Sequence, residues 1–367
     1  MVFNDYCDNL HAQSDKMNKL ILALLVFGIY STIYGQQGDG GTPKGFNYLM
    51  KSGIEVPNYT FSQPDIEKLR KEDQVNDSLK LGPWRFGYNY STNLDLYNAG
   101  VWSTAPNGDK VWLMKISSEE AKTINLTFSN TFIPEGNELY IYNPEKTFVL
   151  GKFTQNHIYK GELGAELIPG DEVVVEYYVP AQNTDNIGSV QVATVTHGYR
   201  TAKEYQEKAF KSSGSCNMNV NCPDGTPYLN QRNSVVMIVS GSSGFCSGAL
   251  INNTQFDATP YVLTAHHCGT GVTSWIFRFN WQSESCDNPS SSPSFQSLSG
   301  AVLRANRAAS DFLLVEITGG LSNGMIPVSY QPYFLVGTME ERFPVLLLAS
   351  IILVVILKRF HLMIIPL

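Results

Sequence analysis

Phe245-Cys-Ser-Gly-Ala-Leu-Ile251, followed by Tyr261-Val-Leu-Thr-Ala-His-His-Cys268, is the stretch on which the reading of this chain turns. Both runs are short, apolar and bounded by polar residues, which is the pattern of buried strands. The second run ends in a histidine set directly before a cysteine, and the first run carries another cysteine. A histidine held at the end of a strand is a candidate for moving protons. His267 is that candidate, and His266 is read as pointing away.

A base that activates a serine needs a carboxylate to fix its tautomer and to stabilise the imidazolium. Asp311, in Ala309-Ser-Asp-Phe-Leu-Leu-Val-Glu-Ile317, heads an apolar strand. A carboxylate is costly to bury there without a partner, and His267 is its natural one. Glu316 falls out of phase with the apolar positions and is read as solvated. The triad occurs in several chain orders; in the one that runs His, Asp, Ser the nucleophile would follow Asp311. The serines there are Ser322, Ser329 and Ser350, and none sits in a Gly-x-Ser-Gly turn beside donors for an oxyanion. Gly241-Ser-Ser-Gly244 precedes the histidine and reads as a hairpin turn. A zinc site is a weaker reading, because the adjacent His266, His267 and Cys268 do not readily converge on one ion. No metal or cofactor is expected.

Working outward, the region from Trp84 to about Val195 is strand after strand. Examples are Val111–Ile116, Thr123–Phe128, Glu138–Tyr142 and Glu172–Tyr178, with turn signals at Pro106-Asn-Gly108, Pro134-Glu-Gly136, Asn143-Pro144 and Pro169-Gly-Asp171. This spacing predicts an antiparallel sandwich over 81–200. His157 and His197 stand alone there and read as ordinary histidines. Residues 198–215 are small and polar, a boundary. A second all-β segment follows, with strands predicted at Val235–Val239, Gly248–Ile251, Tyr261–Leu263 and Trp275–Phe279. Ser283–Gly300 reads as a loop. Residues 36–80 read as a loose linker with a short helix over Pro64–Lys71.

The 367 residues suffice for two domains with cores. The net charge of -7 supplies no basic face, which argues against a nucleic-acid partner. Residues 17–35 combine a short basic start, the apolar run Leu20–Tyr30 and a small-residue exit, so they read as a secretory signal cleaved near Gly35–Gln36. Residues 1–16 read as an upstream mis-start, and the expected localisation is extracellular. Export makes Cys216, Cys222, Cys246, Cys268 and Cys286 disulfide candidates rather than metal ligands. Five is odd, so one is left unpaired. Val345–Leu357 is almost wholly apolar but well short of the roughly 20 residues a span needs. Membrane contact is expected only if that tail is genuine.

From Ser213 onward the chain resembles the secreted bacterial lysyl endopeptidases, a branch of the trypsin-like serine proteases. The resemblance rests on Gly214-Ser-Cys-Asn217, Asn221-Cys-Pro223, Cys246-Ser-Gly-Ala-Leu-Ile-Asn-Asn-Thr254, Leu263-Thr-Ala-His-His-Cys-Gly269, Phe279-Asn-Trp281 and Ser310-Asp-Phe-Leu-Leu314. Residues 80–200 look like the β-rich pro-region that precedes such enzymes. The implied fold is all-β: a sandwich pro-region, then an incomplete trypsin-like double β-barrel over 212–334. The resemblance implies His267 as base, Asp311 as its orienting carboxylate, and protein or peptide substrates cut after lysine. It also implies disulfides Cys246–Cys268 and Cys222–Cys286, a Cys216 whose partner is missing, and maturation between Lys211 and Ser212.

The family's serine, oxyanion donors and lysine-selecting acid have no counterpart in 335–367. The resemblance ends after Phe334, and a one-base shift there permits family-like sequence, so that segment is expected to be translation out of frame. The chain as written is therefore expected to be inactive. The alternative is a non-catalytic, secreted or tethered pseudoprotease that binds a partner.

Overall fold

The computed structural model describes residues 37–46, 54–79, 81–201, 204, 218–241, 243–287, 293–335 and 359–360. The expected signal over 17–35, the processing pair Lys211 and Ser212, Cys216 and the apolar run 345–357 lie outside the described residues.

The alternating runs of the first half fold as β1 (Asn58–Phe61), β2 (Trp84–Arg85), β3 (Gly87–Asp95), β4 (Val101–Thr104), β5 (Lys110–Ser118), β6 (Thr123–Phe132), β7 (Glu138–Tyr142), β8 (Val149–Phe153), β9 (Leu163–Gly164), β10 (Ile168–Pro169), β11 (Glu172–Val179) and β12 (Ser189–Gly198). One sheet has the order β1-β5-β11-β7-β8, with β4 also on β5, and the other has the order β10-β6-β12-β3, with β9 on β6. Alternation along the strands decides which side chains meet between the sheets. Trp112, Met114 and Ile116 of β5 and Val173, Val175 and Tyr177 of β11 pack with Ile124, Leu126 and Phe128 of β6 and Val192 and Val195 of β12. Each such side chain contributes about 1.5–3 kcal/mol by leaving water.

The first sheet is covered on its outer face as well. Val111, Leu113, Tyr140, Tyr142, Val149 and Val174 form a second cluster there, closed by Phe46 and Val56. Glu176 lies in this layer, fully buried. Its carboxylate accepts hydrogen bonds from the Gly45 N–H at 2.7 Å and the Tyr142 hydroxyl at 2.9 Å. Burial outweighs these bonds and pushes the carboxyl up to about 7.

The segment 36–80 corrects the expectation of a loose linker. β1 runs parallel to β5, with Asn58 opposite Lys115 and Phe61 opposite Ser118, the one parallel strand pairing of the sandwich among the described residues. The helix α1 spans Ile66–Leu79 rather than stopping at Lys71. Asp65 accepts the Lys68 N–H at its start. Its far half is held by ion pairs rather than apolar contacts: Asp73 meets Arg85 at 2.8 Å and Arg200 at 2.7 Å, and Asp77 meets Arg200 at 2.9 Å. Charge pairs of this kind leave no periodicity to read. Tyr199 and Arg200, at the end of the sandwich strands, are buried, and the Tyr199 hydroxyl donates to Asp73 of this helix.

The second half forms β13 (Met218–Asn219), β14 (Val235–Ser240), β15 (Gly244–Ile251), β16 (Tyr261–Thr264), β17 (Ile276–Phe279), β18 (Gln296–Ser299), β19 (Ala301–Arg307), β20 (Phe312–Ile317) and β21 (Arg359–Phe360), with a single helical turn, α2 (Leu229–Arg232). β13 pairs with β21. The sheet β18-β17-β14-β15-β16-β20-β19 curls into a half-barrel around Val236, Ile238, Leu250, Val262, Phe277, Leu313 and Val315. The expected loop 283–300 ends in β18, because Gln296–Ser299 finds an open edge on β17. The fold is all-β, with a sandwich followed by a trypsin-like half-barrel. Among the described residues, no helix is long and apolar enough to cross a membrane.

Candidate active site

β16 delivers the site. It is held between β15 and β20, with Leu263 opposite Ala249 on one side and Leu314 on the other. The apolar alternation that fixes this register stops at Thr264. Buried Thr264 turns its hydroxyl back to the Ser247 carbonyl at 2.7 Å, so the strand end is tied to β15. A 3-10 turn over His266–Cys268 follows. It closes on Gly269, whose φ of 103° suits glycine, and whose N–H donates to the His266 carbonyl at 3.0 Å.

A disulfide joins Cys246 of β15 to Cys268, so the turn is bonded covalently to the neighbouring strand. A second disulfide joins Cys222 to Cys286. Cys222, Cys246, Cys268 and Cys286 are thus all disulfide-bonded in the structure.

Asp311 reaches the same place from the other side. It lies between the turn Ala308–Ser310 and β20, in the left-handed region with φ 48°, a conformation aspartate tolerates better than most residues. β20 is registered on β16 through Leu313 opposite Thr264. The turn that precedes β20 is thereby aligned with the turn that follows β16.

The two sequence candidates meet. His267 Nδ1 lies 2.7 Å from Asp311 Oδ2. The His267 backbone N–H donates to Asp311 Oδ1 at 2.8 Å, and the His266 N–H donates to the Asp311 carbonyl at 3.1 Å. The carboxylate thus grips both the ring and the backbone of the histidine. Partial burial of Asp311 pushes its carboxyl up. The hydrogen bonds from the His267 ring and backbone, with the charges of His267 and His266, outweigh that and hold it below its ordinary value.

Asp311 is not buried. Its side chain keeps 50% of its surface and that of His267 keeps 43%. The pair sits on an open face, held by hydrogen bonds rather than by exclusion from water. Glu316 points outward as expected and pairs with Arg304 at 2.6 Å. His157 and His197 are core histidines, the latter 2.9 Å from the Ser118 hydroxyl through Nδ1.

Cys246, His267 and Cys268 bring candidate metal-ligand atoms within 4.8 Å of one another. Both sulfurs are committed to the disulfide, and zinc is bound by thiolates, so this group does not fit a metal. Sequence reasoning missed Thr264 and the backbone donors of His266 and His267. An apolar run ending in a threonine was the available signal for the first. Nothing in a sequence marks the second.

Residues 210–338 match the family model for the lysyl endopeptidase C-terminal domain. The matched span includes His267, Asp311 and all four disulfide-bonded cysteines. Two disulfides fit a secreted protein. The match supports a lysyl endopeptidase-like family for the half-barrel, and a protease-like protein with protein substrates.

Proposed function

We propose that this chain is the precursor of a secreted serine endopeptidase of lysyl type, with His267 as general base and Asp311 as the residue that orients it. The observation that carries this is the 2.7 Å contact between His267 Nδ1 and Asp311 Oδ2 on an open face. With Nδ1–H donating a hydrogen bond to the carboxylate, the ring presents Nε2 as the acceptor. That nitrogen takes the proton of a serine hydroxyl as the oxygen attacks a peptide carbonyl, and returns it to the leaving amine. Asp311 stays ionised and steadies the imidazolium.

The nucleophile is not among residues 312–367. Ser322 is tied into a tight turn with Met325, and Ser329 lies in the 3-10 turn Val328–Tyr330. Both are exposed, but neither lies in a Gly-x-Ser-Gly turn that would set its hydroxyl beside backbone donors for an oxyanion. The polypeptide of residues 1–367 is therefore proposed to be inactive, with the residues after Phe334 read out of frame. Cleavage after Lys211 and selectivity for lysine belong to the same proposal.

The test has two arms. Full-length protein is assayed on a chromogenic lysyl ester and amide, with no turnover expected. Turnover abolished by His267→Ala would refute the missing nucleophile while keeping the base. The gene is resequenced from the codon of Tyr333 onward. A single-base slip that opens a frame with a Gly-x-Ser-Gly turn supports the reading, and an intact frame overturns it.

A further inference from the structure

The sandwich and the half-barrel share structure that neither completes alone. β2 leaves the sandwich and adds to the barrel sheet, with Arg85 opposite Gly244 and Trp84 opposite Phe245. It occupies the same edge of β15 that β16 occupies from Ala249 to Ile251. The Phe86 N–H donates to the Ser243 carbonyl at 2.7 Å. Phe86 and Leu167 then enter one core with Met237, Val239, Phe245 and Trp281 of the barrel half. The rings of Phe86 and Phe245 stack at 4.4 Å.

Charge follows the same division. Arg278 projects from β17 with its side chain 4% exposed, and its partner is Glu166 of the sandwich, 1% exposed. Nε lies 2.9 Å from Oε1 and a terminal nitrogen lies 2.6 Å from Oε2. Removing the sandwich would leave a guanidinium in an apolar layer without its carboxylate. Backbones also meet closely: a Cβ on Gly164 would lie 2.1 Å from the Ser274 carbonyl oxygen. The arm residue Gln37 donates to the Gly164 carbonyl, accepts the Glu166 N–H and bridges to Ser297 of β18.

We propose that the sandwich is a retained partner of the half-barrel: after the chain is cut between residues 202 and 217, the two pieces stay together as a noncovalent pair. The docked sandwich leaves the His267–Asp311 face open, so its retention completes the barrel and does not plug the site. This holds whether or not the barrel performs chemistry. Strand addition, a mixed apolar core and a sealed ion pair are features of permanent interfaces rather than of transient ones.

The experiment inserts a site-specific protease sequence between Ser212 and Ser213 of the full chain, cuts it, and runs native size-exclusion chromatography with denaturing gels of each fraction. Both fragments are expected to co-elute at the volume of the uncut protein. Separate elution overturns the proposal. Glu166→Ala in the same chain is expected to raise the Kd between the fragments by about two orders of magnitude or more, and an unchanged Kd overturns the role of the ion pair. Should the inserted chain fail to fold, residues 36–205 and a tagged 206–367 are produced together. Recovery of the untagged sandwich on the tag supports the proposal, and its loss to the flow-through overturns it.

Discussion

Two acid–base pairs in this molecule have nearly the same contact distance and opposite surroundings. Glu166 and Arg278 meet at 2.6 Å with side chains almost wholly sealed, whereas His267 and Asp311 meet at 2.7 Å with about half of each side chain in solvent. The first pair spans the sandwich and the half-barrel, and its geometry is of the kind that repays desolvation: several hydrogen bonds between a guanidinium and a carboxylate. The second gains little from Coulomb attraction because water screens it. What holds it is the chain itself: a disulfide on one side, backbone donors on the other, and β16 and β20 in register beneath. A sealed pair of this kind serves architecture. An exposed pair held this firmly is suited to moving a proton.

The largest test of the contrast is Glu166→Ala in the full chain. It leaves Arg278 buried without a counter-charge and should cost about 3–5 kcal/mol of stability, read by urea unfolding. A loss below about 1 kcal/mol would place the pair with the exposed ones. Replacing both partners with methionine should recover most of that loss, because well-packed apolar groups often substitute for a buried pair without penalty. A double variant as unstable as the single one would mean that packing, not charge, was at stake.

Next in size is the disulfide beneath the exposed pair. Cys246→Ser with Cys268→Ser opens a link with a sequence separation of 22, worth about 3 kcal/mol on the chain-entropy account. The His267 ring should also lose its fixed Nδ1 hydrogen bond, seen as a broadened imidazole proton in the NMR spectrum. A ring signal that stays sharp would show that Asp311 alone positions the histidine.

The smallest expected effect is that of Asp311→Asn, which should change stability by no more than about 1 kcal/mol at neutral pH. The sign of its pH dependence follows from the lowered carboxyl. Unfolded, the group titrates near 3.8, and folded it titrates below that, so the native state binds fewer protons in this window. Its contribution is present above about 3.8 and is lost as pH falls through the folded value. The asparagine variant should lack that acid limb. Urea midpoints of both proteins between pH 2 and 6 measure it, and parallel curves would count against a paired Asp311.

Much of this was legible in the residues. Strand runs such as Glu138–Tyr142 and Val235–Val239 appear at their expected places because a short apolar run bounded by turn or polar residues reads as a buried strand in any tertiary context. His267 and Asp311 were legible because each stands at the end of an apolar run, where a polar group calls for a reason. Arg278 in Ile276-Phe-Arg-Phe279 and Glu166 in Gly164-Ala-Glu-Leu-Ile168 carried the same signal, a lone charge in an apolar setting. The signal flags each residue but cannot match them across more than a hundred positions of chain. The helix α1 was half missed, because its second turn onward is held by Asp73 and Asp77 against Arg85 and Arg200, which are remote in sequence.

The sequence alone determined the all-β class, the half-barrel strands around Val235–Val239, Gly248–Ile251, Tyr261–Leu263 and Trp275–Phe279, and the two candidate residues at the open site, since apolar runs and their punctuation are local properties of the chain. Only the tertiary structure decided that β1 joins its sheet in parallel, that β2 leaves the sandwich for the barrel, and that Asp311 lies in water rather than in the core. The physical reason is common to all three. Each depends on which strand edge or which face remains uncovered once every other element has packed, and no stretch of residues carries that information by itself.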